Sequence, residues 1–243
     1  MPPTISIIIP VLNEEALLAG TLDGLRRFEG EPEVIVVDGG SHDLTCDIAR
    51  TALQQFSQGQ LIESARGRGP QMNAGAHAAQ GNVLLFLHAD TQLPADAITR
   101  IKKVISNPEI VGGNFAIAFE GRDLWSRVFT RLYNWRRRFG IYYGDSAIFA
   151  RREVFERLGG FLDAPVMEDY DFCRKLERAV KTSVIESPAI TSSRRWGRWG
   201  TAYVLTVWVL LQWLYLIGAR PEGMGWIYYP KSFKLRRKRA VAR

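Results

Sequence analysis

Val83-Leu84-Leu85-Phe86-Leu87-His88-Ala89-Asp90-Thr91 is the stretch whose reading decides the fold. Five apolar residues run unbroken into a polar triplet, with Gly81-Asn82 before them and Pro94 behind. A short apolar run between turn signals suits a strand buried on both faces, at the centre of a parallel sheet. The triplet then emerges at the strand's carboxyl end, where open α/β sheets bind ligands. A carboxylate held there needs a partner, and a divalent cation carrying a phosphate ligand would supply one. The plainer alternative is that Asp90 caps a helix starting near Pro94.

Working outward, Ile5-Ser6-Ile7-Ile8-Ile9-Pro10 reads as a first strand ended by Pro10, and Ala16 to Phe28 has helical spacing. Glu33 to Asp38 reads as a second strand, followed by a Gly39-Gly40-Ser41 turn and a helix from near Asp43 to Phe56. Gln60 to Glu63 suits a short third strand, and Gly67-Arg68-Gly69-Pro70 opens a helix reaching Gln80. Strand and helix alternating at this spacing predict right-handed βαβ units on a parallel sheet. Beyond Asp90 the spacing predicts helices over Asp96–Ser106, Asp123–Phe139, Glu153–Leu158 and Glu168–Ala179. Strands are expected over Val111–Phe119 and Ser146–Ala150. No linker divides these elements. We expect one domain over 1–190, with a nucleotide half to about 92, an acceptor half beyond it, and 191–243 as a hydrophobic helix and basic tail.

The chain has 243 residues, 47% hydrophobic and 23% charged, which is globular composition. Its net charge of +7 suits an anionic partner. Two distant cysteines, Cys46 and Cys173, exclude a disulfide scaffold and fit a reducing compartment. Met1-Pro2-Pro3-Thr4 leads straight into a strand, so no signal peptide is expected. His42, His77 and His88 form no H-x-x-H pair, which disfavours catalytic zinc.

Asp38 closes the second strand, where an acid can bind ribose hydroxyls or a base edge, or simply serve a tight turn. The turn after strand one, Pro10 to Glu15, has no glycine and two acids, which excludes a dinucleotide-binding fold. Glu168-Asp169-Tyr170-Asp171 crowds three carboxylates at a helix start. That suits proton transfer, or ordinary N-terminal helix charge. Asp145 in Tyr143-Gly144-Asp145-Ser146 is similarly open.

Together these motifs, over Ile5 to Arg178, resemble family 2 glycosyltransferases of the GT-A fold. The resemblance rests on Ile8 to Glu14, Val36 to Ser41 with Asp43 and Thr45, Asn73-Ala74-Gly75, His88 to Thr91, Gly159-Gly160-Phe161 and Glu168 to Asp171, in that order. It implies an α/β fold with a Rossmann-like, mostly parallel sheet flanked by helices. It also implies a nucleotide-sugar donor, with a UDP-sugar first in line, a divalent metal (Mg or Mn) and inversion at the anomeric carbon. By position, Pro10, Val11, Asn13, Glu14 and Asp38 would hold the nucleoside. Arg66 and Arg68 would meet the diphosphate, and Asn73 would brace that loop. Asp90 would bind the metal beside His88 and Ala89, and Asp169 would be the catalytic base. Asp145, Glu168, Asp171, Arg195 and Trp196 are candidates for the acceptor side. His88 replaces the first acid of the family's Asp-x-Asp. This His-Ala-Asp-Thr form resembles a short bacterial subgroup sometimes associated with arsenosugar biosynthesis and, more loosely, glucosyltransferases acting on carotenoid acids.

Thr201 to Gly218 is uncharged and apolar nearly all round, with basic clusters on both sides. A membrane span, an interfacial helix and a helix packed on the domain all compete. Basic residues on both flanks disfavour a single span. We expect a cytoplasmic, peripheral protein at the inner face of the membrane, its tail from Lys231 on anionic lipid and its acceptor lipid-like. Nucleic acid is not expected, because no recognition module accompanies the charge. The rival from another class is a non-catalytic nucleotide-sugar sensor or scaffold on the same fold.

Overall fold

The computed structural model describes residues 3–121, 123–179, 181–193 and 200–228. In chain order the strands are β1 (Ile5–Val11), β2 (Glu33–Asp38), β3 (Gly59–Glu63), β4 (Val83–Phe86), β5 (Thr91–Gln92), β6 (Ile110–Phe119), β7 (Ile148–Arg151) and β8 (Lys181–Thr191). The helices are α1 (Leu18–Leu25), α2 (Thr45–Leu53), α3 (Arg68–Ala78), α4 (Ala97–Ile105), α5 (Leu124–Arg137), α6 (Arg152–Arg157), α7 (Glu168–Ala179), α8 (Thr201–Leu216) and α9 (Gly225–Tyr228).

One sheet runs β3-β2-β1-β4-β7-β6-β8-β5. β3, β2, β1 and β4 are parallel, as the βαβ spacing requires. β4 is central, but its other neighbour, β7, is antiparallel. Side chains alternate across the first strands. Ile7, Ile9, Val34 and Val36 pack under α1, α2 and α4, whereas Ile8, Ile35 and Val37 pack under α3, α6 and α7. Phe86 ends β4 among the rings of Phe161 (4.7 Å) and Phe155 (5.1 Å). Such ring pairs contribute about 0.5–1.5 kcal/mol each beyond burial, so the strand end that leads to the polar triplet is firmly held.

Three expectations need correcting. Pro10 does not end β1, which continues to Val11. β4 pairs with β1 only as far as Ile8↔Phe86, so at Pro10 the ladder has a neighbour on the β2 side alone. A missing N–H is tolerated there. Second, the central strand stops at Phe86 rather than running into the triplet. Third, β8 and the two-residue β5 give no clear sequence signal, since β8 is interrupted by Glu186-Ser187-Pro188 and only three of its eleven residues are buried. Both bear on the site, because β5 pairs with β8 through Thr91↔Thr191.

α8 buries Val207 and Leu211 against Val166, Met167 and Tyr170. No described helix is long and apolar enough to cross a membrane. Within the chain, α8 therefore packs on the domain, with its outer side exposed.

Candidate active site

The carboxyl ends of β1 and β2 are stitched into one cradle. Asn13 adopts a left-handed backbone (φ 54°), a conformation asparagine tolerates better than most residues. Its N–H donates to Ser41 Oγ (2.9 Å) and its Oδ1 accepts from His42 N (2.9 Å). Glu14 N donates to Thr45 Oγ1 at 2.8 Å. Asp38 is buried opposite Val11, and its carboxylate accepts from the N–H groups of Gly40 (2.9 Å) and Ser41 (3.0 Å). Burial works to raise its pKa, but these donors outweigh that and hold it below its ordinary value. The turn function of Asp38 is thus observed. Gln71 of α3, missed by sequence reasoning, lies beneath and donates to the carbonyls of both Val11 and Val37 at 2.7 Å. Its only sequence signal is an amide beside apolar Met72 on a helix that packs on strands.

Three hydrogen bonds hold the His88–Asp90 segment. Thr21 Oγ1 donates to the Ala89 carbonyl (2.6 Å), Thr91 N to the His88 carbonyl (3.1 Å) and Ser192 N to the Asp90 carbonyl (3.1 Å). Asp90 therefore precedes β5 rather than capping α4, which begins at Ala97. His88 is buried, with Nδ1 3.0 Å from Asp145 Oδ1. Burial opposes its positive charge, but the hydrogen bond and negative charge of Asp145 outweigh it and raise the His88 pKa.

Asp145 lies in a 3₁₀ turn, Gly144–Ser146, that brings His88 and Asp169 together. A Cβ on Gly144 would sit 2.7 Å from His88 Nε2 and 3.2 Å from Asp169 Oδ2. Asp169 Oδ2 accepts from Gly144 N (2.8 Å) and Oδ1 from Tyr170 N (2.7 Å). The residue after this turn, Ala147, and the one before Glu168, Met167, have φ of 52° and 67°. Non-glycine residues in that region are strained, and such strain gathers at functional sites.

Glu168 is buried and its Oε1 lies 2.6 Å from Arg68 Nε. Burial pushes its pKa up, partly offset by Arg68. Arg66 is exposed. Asn73 braces a different loop from the one expected: its amide accepts from Phe161 N (2.9 Å) and donates to the Phe161 carbonyl (2.8 Å). It thereby fixes the Gly159-Gly160 turn, where a Cβ on Gly160 would meet Asn73 Oδ1 at 2.7 Å. Asp171 turns away towards α8, accepting from Tyr215 Oη (2.7 Å) and pairing with Lys175 (2.8 Å). Arg195 and Trp196 lie outside the described residues. A cavity of about 50 Å³ opens beside Asp169, Asp145 and Arg68. Its apolar walls come from Tyr133, Tyr143, Met167 and, on α8, Trp208. The α8 contribution was not legible in the sequence, because that helix is apolar on every side.

Two outcomes follow from the charged pairs. Arg68→Ala leaves the buried Glu168 carboxylate without its cation, which typically costs about 3–5 kcal/mol. Arg68 keeps a quarter of its side chain in water, so the lower end is expected, read from urea unfolding. For His88 the folded-state pKa is raised, so the stability it contributes is fully present below its unfolded value of 6.5 and is lost as pH rises through the folded value. Asp145→Asn should therefore lower the thermal midpoint most in acid, with the gap to wild type closing as pH rises. A gap that does not change with pH would mean that His88 is neutral in the fold.

Among the described residues no cluster of three or more His, Cys, Asp or Glu side chains forms a metal cage. Both His88 nitrogens face protein, towards Asp145 and Gly144. Asp90 is a hard oxygen donor of the kind that suits magnesium or manganese, ions commonly held by one or two carboxylates plus substrate phosphates. The donor set fits a metal whose coordination a diphosphate completes.

The mostly parallel sheet flanked by helices is that of the GT-A fold. The sequence profile of glycosyl transferase family 2 matches residues 6–159, and the chain belongs to that family. It is 36% identical over 180 residues to a PGL/p-HBAD biosynthesis glycosyltransferase of Mycobacterium bovis, covering 70% of this chain and 68% of that one. An undecaprenyl-phosphate 4-deoxy-4-formamido-L-arabinose transferase of Aeromonas hydrophila is 31% identical over 131 residues, 51% of this chain and 39% of that protein. Among solved structures, the mannosyltransferase PcManGT of Pyrobaculum calidifontis, in complex with GDP-Man and Mn2+, superimposes with a TM-score of 0.66 at 19% identity, over 93% of this chain and 70% of that one. S. aureus TarS 1-349 with UDP-GlcNAc gives 0.66 at 18% identity, covering 79% of this chain and 59% of that one. These two likenesses concern the fold.

Proposed function

We propose that the chain transfers a sugar from a nucleotide-diphosphate sugar, a UDP-sugar first in line, to a hydroxyl or carboxylate of a lipid-like acceptor, with inversion. The observation that carries this is the placement of Asp169 on the wall of an apolar cavity, anchored by Gly144 N–H at 2.8 Å. In this reading residues 1–190 are the catalytic unit and 191–243 an appended helix and tail. Pro10, Val11, Asn13, Glu14 and Asp38 line the nucleoside site, and Arg66 and Arg68 meet the diphosphate. The acceptor oxygen enters from the cavity and attacks the anomeric carbon while its proton passes to the Asp169 carboxylate. The bond to the diphosphate breaks on the opposite face. Asp90 would hold a divalent cation, which would supply positive charge to the leaving diphosphate. The metal and the lipid-like acceptor draw support from the manganese complex of PcManGT and the undecaprenyl-phosphate transferase relatives. An apolar acceptor also suits a peripheral position at a membrane surface.

The test is a donor screen. The protein is incubated with manganese and a panel of nucleotide sugars, and thermal stabilisation and nucleotide release are followed. Stabilisation with slow metal-dependent hydrolysis is expected. Stabilisation without turnover, lipid and small acceptors included, would make the chain a sensor.

A further inference from the structure

α5 carries an apolar stripe that the described fold covers only along one edge, at half-buried Leu132 and where Trp125 meets Phe129. Trp125, Val128, Leu132, Trp135 and Phe139 follow one another at intervals of three and four, which puts them on one side of the helix and the turn after it. Trp125, Trp135 and Phe139 are 50%, 55% and 62% exposed, whereas Phe129 and Tyr133, turned towards the sheet, are buried in the domain. Scattered exposed hydrophobics are ordinary, but a continuous aromatic row marks an interaction surface.

The charge beside the row says what covers it. Arg127, Arg131 and Arg138 are exposed on the same helix and its last turn, and no acidic residue occurs between Asp123 and Asp145. Trp and Phe beside Arg is the composition of a helix lying in a lipid headgroup layer, rings at the acyl boundary and guanidinium groups on phosphates. A second copy fits poorly, since symmetric pairing would bring arginines together with no carboxylate on the face to meet them. α5 is also joined to α8: Phe129 and Tyr133 meet the Trp208 ring at 6.3 and 5.6 Å, and Arg136 donates to Gln212. The outer side of α8 exposes Trp213 as well. Tyr133 and Trp208 line the cavity beside Asp169, so both helices contribute to its wall.

We infer that the outer face of α5, continued by that of α8, is the surface with which this protein docks on an anionic bilayer. The inference rests on the peripheral, lipid-acceptor reading above, and specifies the element that makes the contact. Docked this way, the cavity lies next to the membrane.

The test uses the full chain with vesicles of phosphatidylcholine, with and without phosphatidylglycerol, and brominated lipids as tryptophan quenchers. Wild type should sediment with the anionic vesicles and be quenched. A combined Trp125→Ala, Trp135→Ala, Phe139→Ala variant should lose binding by about tenfold or more, with its thermal midpoint and donor hydrolysis unchanged. Arg127→Gln, Arg131→Gln and Arg138→Gln together should weaken the preference for phosphatidylglycerol, and an unchanged preference would count against the α5 face. If the aromatic variant binds like wild type, while neutralising Lys234, Arg236, Arg237 and Lys238 abolishes binding, the membrane reading stands and the α5 face is not the dock. If no form binds, both fail. A wild-type dimer that the aromatic variant dissolves, with no vesicle binding, would assign the face to a second copy instead.

Discussion

Asp169→Asn is expected to lower kcat by about 10²–10⁴, the usual worth of a general base, while donor affinity stays within error. Asparagine keeps the size of the side chain. Its carbonyl oxygen can still accept from Gly144 N–H, which holds Asp169 in place at 2.8 Å. What it cannot do is take a proton. The size of the loss also reports on the acceptor. A hydroxyl needs its proton removed as the new bond forms, whereas a carboxylate attacks already ionised and needs no base. A full loss of rate therefore identifies a hydroxyl acceptor, and a loss of only a few-fold an anionic one. Steady-state kinetics with saturating donor separates these outcomes. Weak donor binding with normal turnover at saturation would instead move Asp169 to the donor side and leave Asp145 as the candidate base, because Glu168 is committed to Arg68 and Asp171 to Tyr215 and Lys175.

Asp90→Ala should remove the dependence of donor binding on a divalent ion. Second-shell changes at metal sites already cost 10–100-fold, and loss of a carboxylate ligand should exceed about 100-fold. His88 does not compensate, since its Nδ1 is engaged by Asp145 and its Nε2 faces Gly144. The backbone here is held by Thr21, Thr91 and Ser192 through groups the substitution leaves intact, so the fold should survive. Titration calorimetry of UDP-sugar, with and without manganese, reads the effect. Equal manganese-dependent affinity in the variant and wild type would place the metal elsewhere.

The first half of the fold was legible because its signals are local. Buried parallel strands read as near-continuous apolar runs, and Ile5–Val11, Glu33–Asp38 and Val83–Phe86 all do. The second half depends on long-range pairing. β8 alternates irregularly, and β5 is a strand only because Thr91 meets Thr191 across a hundred residues. The site divides in the same way. Asp38, His88, Asp90, Asp145 and Asp169 stand out as polar groups at element ends. Nothing local tells that Gly144 fits between His88 and Asp169, or that Asn73 reaches Phe161. Gln71 was overlooked because its partners are carbonyls on two strands far away in sequence.

The most direct test of the account is the configuration of the sugar first released when wild type, with manganese, hydrolyses an α-linked UDP-sugar. Proton NMR, recorded before the free sugar equilibrates, distinguishes the two anomers. Direct displacement on the face opposite the diphosphate, with Asp169 as base, predicts the β anomer first. Initial release of the α anomer would mean retention, and would contradict the single displacement on which the assignment of Asp169 depends.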